Sequence, residues 1–282
     1  MEQAPHPIPY QGSKRRLAQA ILRFAPARSD RWLEPFAGSA ALTIAAARRD
    51  LARGYVIGER LEPLAALWSA ILATPERVAD LYEGLWTEQH ADPASHFNAV
   101  RTRFNAEHDP VLLLYLLARC VKNAVRFNPR GEFNQSADHR RRGMRPQTMR
   151  VQILRAAQLL AGSTAVLASD YRELLAQATP RDLVYMDPPY QGVSGRDKRY
   201  VAQLDLEAFT AELHGLNQRD VPYLLSFDGS CGDVQYGRPL PESLGLSRVA
   251  IDAGRSSQAT LAGRSARTVE SLYVSPALRR SA

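Results

Sequence analysis

Apolar positions change their spacing several times along this chain, and the changes divide it into segments. In "GSKRRLAQAILRFAP" the residues Leu17, Ile21 and Leu22 set one face and Pro26 stops it, so a basic helix is expected there. "RWLEPFAGSAALTIAAARRD" reads as a short strand at 32–33, a turn of small residues and an Ala-rich helix to about Arg48. "GYVIGERLEPLAALWSAIL" repeats the form, with a strand at 55–57, a carboxylate at Glu59 and a helix from about Pro63. A βαβα rhythm of this kind predicts a parallel sheet with helices on its faces.

From 75 to about 150 the rhythm is different. Helical spacing is expected at 76–86, 97–105 and 111–125, the last holding the strongly apolar "VLLLYLLARCV", and no strand of the sheet is evident. A turn-rich, basic stretch follows, "RFNPRGEFNQSADHRRRGMRPQ". The segment 76–147 therefore reads as an inserted, mostly helical subdomain with one basic loop or hairpin, and 1–75 with 148–282 as the α/β domain that receives it. The α/β rhythm resumes with a helix at 148–160, a strand at 165–168, a helix at 171–177 and a strand at 183–186. A helix at 206–219 and a strand at 223–226 come next, then irregular Gly/Ser-rich sequence and a final strand at 270–274.

Composition narrows the class. The chain has 282 residues, 45% of them hydrophobic, with no run near the roughly 20 apolar residues of a membrane helix and no apolar signal region at its start, so a soluble cytoplasmic protein is expected. Cys120 and Cys231 stand far apart without partners at metal spacing, which argues against a disulfide scaffold and against a metal site. An excess of 36 Lys+Arg over 29 Asp+Glu, nearly all arginine, fits a polyanionic partner but equally fits an Arg-rich soluble protein. Its densest cluster is Arg140, Arg141, Arg142 and Arg145.

Two turns carry chemistry. "EPFAGSAAL" places Gly38 and small neighbours between strand and helix, where a ligand can approach the backbone and the free N–H groups of a helix start. Neither a dinucleotide G-x-G-x-x-G nor a phosphate loop is present. Glu59, 21 positions after Gly38, stands where Rossmann-like sheets present an acid to ribose hydroxyls. A nucleoside cofactor without pyrophosphate needs such a turn and acid, and S-adenosylmethionine (with its product S-adenosylhomocysteine) answers that description. In "RDLVYMDPPYQG" the strand delivers Asp187 to its carboxyl end. Pro188 and Pro189 have no N–H, so carbonyl oxygens and the Asp187 carboxylate form an array of acceptors suited to an exocyclic NH₂, beside the ring face of Tyr190.

With "YQGSKRRL", "EPFAGSA", "RFNPRGEFN" and "DPPY" in this order, the chain resembles the Dam-like DNA amino-methyltransferases (D12 class, alpha group) from Pro9 to about Val274. The resemblance implies a Rossmann-like S-adenosylmethionine-dependent methyltransferase fold with an inserted target-recognition subdomain. It implies that Tyr10, Gln11 and Lys14 line the methionine end of the cofactor, that Glu34, Pro35, Phe36 and Gly38 form its turn, and that Glu59 holds the ribose, although many relatives have Asp there. Asp170 and Tyr171 match a position near the cofactor adenine, and equally read as a helix N-cap and first residue. Asp187, Pro188, Pro189 and Tyr190 would hold the target amino group, Asp187 also bordering the cofactor. Lys122, Asn123, Arg126, Asn128, Arg140, Arg141, Arg142 and Arg145 are the candidates for contacts to double-stranded DNA.

The expected reaction is methyl transfer to an exocyclic amino group of a base turned out of the duplex. Adenine N6 is favoured and cytosine N4 is the alternative, since both amines suit the same acceptors. Neither cysteine lies in the Pro-Cys context of a carbon-5 cytosine methyltransferase. An RNA or glutamine-amide methyltransferase would more usually carry Asn in place of Asp187, and an inactive DNA-binding protein would not need the cofactor turn. A cognate restriction endonuclease as partner and a monomeric or weakly dimeric state are compatible with the sequence. The polar segment 254–268 has no assigned role.

Overall fold

The computed structural model describes residues 3–189, 204–232, 234–237, 239–255 and 267–280. The first two units form as the periodicity predicts: β1 (Ser29–Glu34), α2 (Ala41–Ala47), β2 (Ala52–Gly58) and α3 (Glu62–Ala73). After the helical segment come β3 (Thr164–Leu167), α8 (Tyr171–Ala176), β4 (Leu183–Met186), α9 (Leu206–Gln218) and β5 (Tyr223–Cys231). β6 (Val234–Tyr236) hairpins onto β5, and β7 (Ser247–Arg255), β8 (Arg267–Val274) and α10 (Pro276–Arg280) close the described chain.

Among the described residues the sheet runs β3-β2-β1-β4-β5-β8-β7. β3, β2, β1, β4 and β5 are parallel, whereas β8 enters antiparallel between β5 and β7. This is the Rossmann-like arrangement expected from the βαβα rhythm. Strand order reverses between β1 and β4, and the crevice beyond the carboxyl ends of those two strands is where open α/β sheets take ligands. "EPFAGSA" follows β1 and "DPPY" follows β4, so the two sequence motifs meet there.

Alternation along the strands splits the core. Trp32, Leu183, Tyr185 and Leu224 pack with Leu17, Ile21 and Leu42, while Leu33, Val184, Met186 and Leu225 pack with Leu174, Phe209 and Leu213. A third cluster joins Ile44, Ile57 and Trp68 to α4 (Pro75–Glu88), α5 (Pro93–Glu107), α6 (Pro110–Arg119) and α7 (Pro146–Leu160). The helices of the 76–147 segment thus share one continuous core with the sheet. α6 is buried from Val111 to Arg119, which explains a run that is apolar all round.

Three expectations are corrected. The basic helix near the N-terminus is broken into a 3₁₀ turn (Lys14–Arg16), one turn of helix, α1 (Ala18–Ile21), and a second 3₁₀ turn (Leu22–Phe24); no side chain caps any of them. The helix expected at 111–125 stops at Arg119, because Cys120 pairs with Ala137 and the backbone turns left-handed at Lys122 (φ 61°) and Asn123 (φ 52°). The stretch read as irregular after 226 contains the rest of β5, β6 and all of β7. In β7 Val249, Ile251 and Ala253 pack towards the core and alternate with the exposed Arg248, Ala250 and Asp252, the alternation of a strand with one covered face.

Candidate active site at the strand-order reversal

The turn after β1 is tightly built. Gly38 has φ +50°, and a Cβ there would lie 3.0 Å from the Tyr10 ring. Its carbonyl accepts from Trp68 Nε1 at 2.9 Å, and its N–H donates to Glu59 Oε2 at 3.0 Å. Glu59 Oε1 accepts from Leu61 N at 2.9 Å. Glu59 therefore ties the end of β2 to the turn after β1, and burial holds its carboxyl above the usual range while the Leu61 and Gly38 amides oppose this.

Glu34, at the end of β1, is 3% exposed. Its Oε2 accepts from Thr43 N at 2.7 Å and from the Thr43 hydroxyl. Burial pushes this carboxyl up to about 8, against the Thr43 hydrogen bonds. At neutral pH it is mostly protonated, and it braces α2 against β1.

Lys14 links the N-terminal motif to β4. Its ammonium is buried, 2.9 Å from Asp187 Oδ2 and 3.5 Å from Glu270 Oε2. Burial alone would lower the ammonium; Asp187, then Glu270 and Tyr185, outweigh it and hold the group above its ordinary value. Asp187 is partly exposed and Pro188 buried. Tyr185, two residues earlier on the same face, stacks on Trp32 with ring centroids 6.1 Å apart and shares a 2.9 Å hydrogen bond with Ser226. The carboxylate is thus carried on a strand fixed on both sides. Tyr190 lies outside the described residues, as does most of the polar segment 254–268.

The other expected cofactor residues form two groups. Tyr10 covers Gly38, and Gln11 N donates to Asn123 O at 2.9 Å, which joins the N-terminal motif to the turn beyond α6. Phe36 stacks on Tyr171 at 5.0 Å, and Phe209 meets both rings edge-on. Asp170 caps α8 by accepting from Arg172 N at 3.2 Å. Pro35 Cα would be 3.0 Å from a Cβ at Gly58, so β1 and β2 approach closely where the turn begins.

The expected DNA contacts separate into exposed cations and turn-builders. Lys122, Arg126, Arg140, Arg142 and Arg145 are exposed. Arg141, also exposed, is paired with Asp138 at 2.7 Å. Asn123 Nδ2 donates to Leu117 O, and Asn128 accepts from the amides of Arg130 and Glu132, so both side chains are committed to local structure. Underneath the arginine loop is a brace that sequence reasoning missed. Arg119, 2% exposed, donates to the carbonyls of Asp138 and Arg141; Gln89 donates to Arg142 O at 3.2 Å and Tyr82 to Met144 O at 2.7 Å. Glu270 was also missed. A lone acid inside the apolar "TVESLYV" was the available signal for it.

Cys120 is buried, its thiol pushed up to about 12 chiefly by burial, and is no nucleophile at neutral pH. Among the described residues no helix is long and apolar enough to cross a membrane.

Residues 10–246 match the model of the D12 class N6 adenine-specific DNA methyltransferase family. The chain is 27% identical to the DNA adenine methylase of Escherichia coli (strain K12) over 231 residues, which cover 78% of this chain and 79% of that protein. It is 28% identical to the DNA adenine methylase of Serratia marcescens over 192 residues, 66% of this chain and 67% of that one. A third similar protein is the retron Ec67 DNA adenine methylase of Escherichia coli, 27% identical over 191 residues, 66% of this chain and 63% of the relative. These matches favour adenine over the cytosine N4 alternative. A family match over most of the chain, on a sheet whose reversal point gathers "YQGSKRRL", "EPFAGSA" and "DPPY", shows that the chain belongs to the D12 class of N6 adenine-specific DNA methyltransferases.

Proposed function

We propose that this chain moves a methyl group from S-adenosylmethionine to N6 of an adenine turned out of duplex DNA, with Asp187 and the Pro188 carbonyl holding the target amino group. The observation that carries the reading is the position of Asp187 at the carboxyl end of β4, paired with Lys14 at 2.9 Å, on the strand next to the one that leads into the Gly38 turn.

The residues present suit that cofactor. Gly38 lets the Tyr10 ring lie against the turn, Glu59 offers its carboxylate to a ribose, and the Phe36–Tyr171 stack offers a flat apolar wall to an adenine. S-adenosylmethionine supplies, when bound, an electrophilic methyl group on a sulfonium sulfur. Asp187 and the Pro188 carbonyl do the rest of the electronic work. An aromatic amine is a poor nucleophile because its lone pair is delocalised; hydrogen bonds from its two N–H groups to these acceptors favour a more tetrahedral nitrogen and stabilise the positive charge that grows there. On methyl transfer the nitrogen lone pair would form the new N–C bond, the bonding pair would remain with the donor's sulfur, and the surplus N–H proton would leave through Asp187 to water.

Turning the base out costs a few kcal/mol, which phosphate contacts must offset. Residues 76–147, with Lys122, Arg126 and the arginine loop on their surface, are the part of the chain suited to this. Duplex DNA is the partner so assigned, in the compartment that holds it.

The test is incubation with labelled S-adenosylmethionine and unmethylated DNA, digestion to nucleosides, and identification of the labelled one. Deoxyadenosine methylated at N6 is expected; label only on cytosine N4, or none on DNA, would overturn the reading. Asp187→Ala should lower the transfer rate at least about 10²-fold with the fold intact, and full activity in that variant would remove the role given to Asp187.

A further inference from the structure

Glu270 sits on β8, opposite Gly229 of β5, beyond residue 246 where the family match ends. At Gly229 a Cβ would fall 2.6 Å from Val269 O, so β5 and β8 approach too closely there for any other residue, and Glu270 is held against the carboxyl end of the sheet. Its Oε2 is enclosed, and the polar group that faces it is the ammonium of Lys14, 3.5 Å away. Enclosing a carboxylate against a single, rather long ammonium contact is costly in a purely structural residue. Apolar side chains would fill the position, as Leu272 and Val274 do two and four residues along the same face.

Charge supplies a reason. An ammonium 2.9 Å from Asp187 orients that carboxylate, but it also cancels its field. Lys14 and Asp187 alone sum to zero, a poor environment for a cationic methyl donor and for an amine acquiring positive charge. Glu34 does not help at neutral pH, being mostly protonated. Among the described residues Glu270 is a second acid in contact with Lys14.

We propose that Glu270 is a positioning residue for the methyl donor's charge: it takes a share of Lys14 and leaves the Lys14–Asp187–Glu270 cluster net negative, so that Asp187 is held in place without the site losing its attraction for a sulfonium. Burial raises the Glu270 carboxyl, Lys14 pulls it down and Asp187 pushes it up again, as expected of two acids competing for one ammonium.

The inference rests on reading this cluster as the methyl-transfer site, and a binding ratio separates the two. S-adenosylmethionine carries the sulfonium charge, whereas S-adenosylhomocysteine is a neutral thioether of nearly the same shape. Their affinities are measured by calorimetry for the whole chain, wild type and variants. Glu270→Gln keeps the shape and removes the charge; it should reduce the preference for the sulfonium over the thioether about tenfold, at an effective dielectric constant near ~20. Glu270→Asp should restore most of it. Lys14→Gln, which removes the opposing charge, should move the ratio the other way, and this variant stands as the test should Glu270→Gln not fold. An unchanged ratio in the variants, or equal weakening of both ligands, overturns the inference alone. Failure of the wild-type chain to bind either ligand overturns the reading of the site.

Discussion

Replacing Glu34 by glutamine makes a buried acid permanently neutral without changing its outline. In the wild-type chain this carboxyl is pushed up to about 8 by burial, while in the unfolded chain it titrates near 4.5. Between those values the folded protein holds a proton that the unfolded chain has released, so the unfolded state binds fewer protons and stability falls as pH rises. The slope is about 1.4 kcal/mol per pH unit, and the whole window amounts to about 5 kcal/mol. The glutamine side chain has no proton to lose, and its amide oxygen can still accept from Thr43 N and the Thr43 hydroxyl. The assay is urea unfolding of both proteins, ligand-free, at pH 5.5 and 7.5. Subtracting one from the other cancels Glu59 and Glu270, whose carboxyls are raised in the same direction. The variant should gain about 2.7 kcal/mol on the wild type between the two pH values. A difference constant within about 0.5 kcal/mol would mean that Glu34 is ionised in the fold, and the account of the β1–α2 junction given above would be wrong.

Two other outcomes are expected. Gly38→Ala places a Cβ 3.0 Å from the Tyr10 ring at φ +50°, and should cost about 1–2 kcal/mol of stability by thermal unfolding and weaken S-adenosylmethionine binding more than it weakens DNA binding. Arg140→Gln and Arg142→Gln should each lower the slope of log affinity for duplex DNA against log salt by about 1, equally for all sequences if they contact phosphate; Arg141→Gln, starting from an ion pair with Asp138, should lower it less.

What the sequence disclosed was local. "EPFAGSA" and "DPPY" were legible because turn chemistry, strand ends and the required acceptors lie within a few consecutive residues. The break after Arg119 was hidden because "CVKNA" does not itself forbid a helix; the pairing of Cys120 with Ala137, seventeen residues on, decides it. β7 was missed because Arg, Asp and Gly on its open face dilute the apolar alternation. Glu270 meets Lys14 only because β8 turns antiparallel between β5 and β7, a contact across more than 250 residues that no window of sequence contains. Arg119 was visible as one more arginine; that its guanidinium is buried, and spent on carbonyls of the loop at 138–141, depends on where α6 lies in the core.

The brace beneath the arginine loop has a consequence for how such a protein can diversify. Tyr82, Gln89 and Arg119 hold the loop entirely by its main-chain carbonyls, and at Gly143 a Cβ would fall 3.3 Å from Ala118 O and from the Tyr82 hydroxyl, so glycine lets the loop lie close. Nothing in that support depends on the side chains at 140, 142 and 145. Those positions can mutate without the loop refolding, so the residues proposed to meet DNA are free to drift while the platform that presents them stays fixed, and new target preferences could be sampled at little risk to the fold.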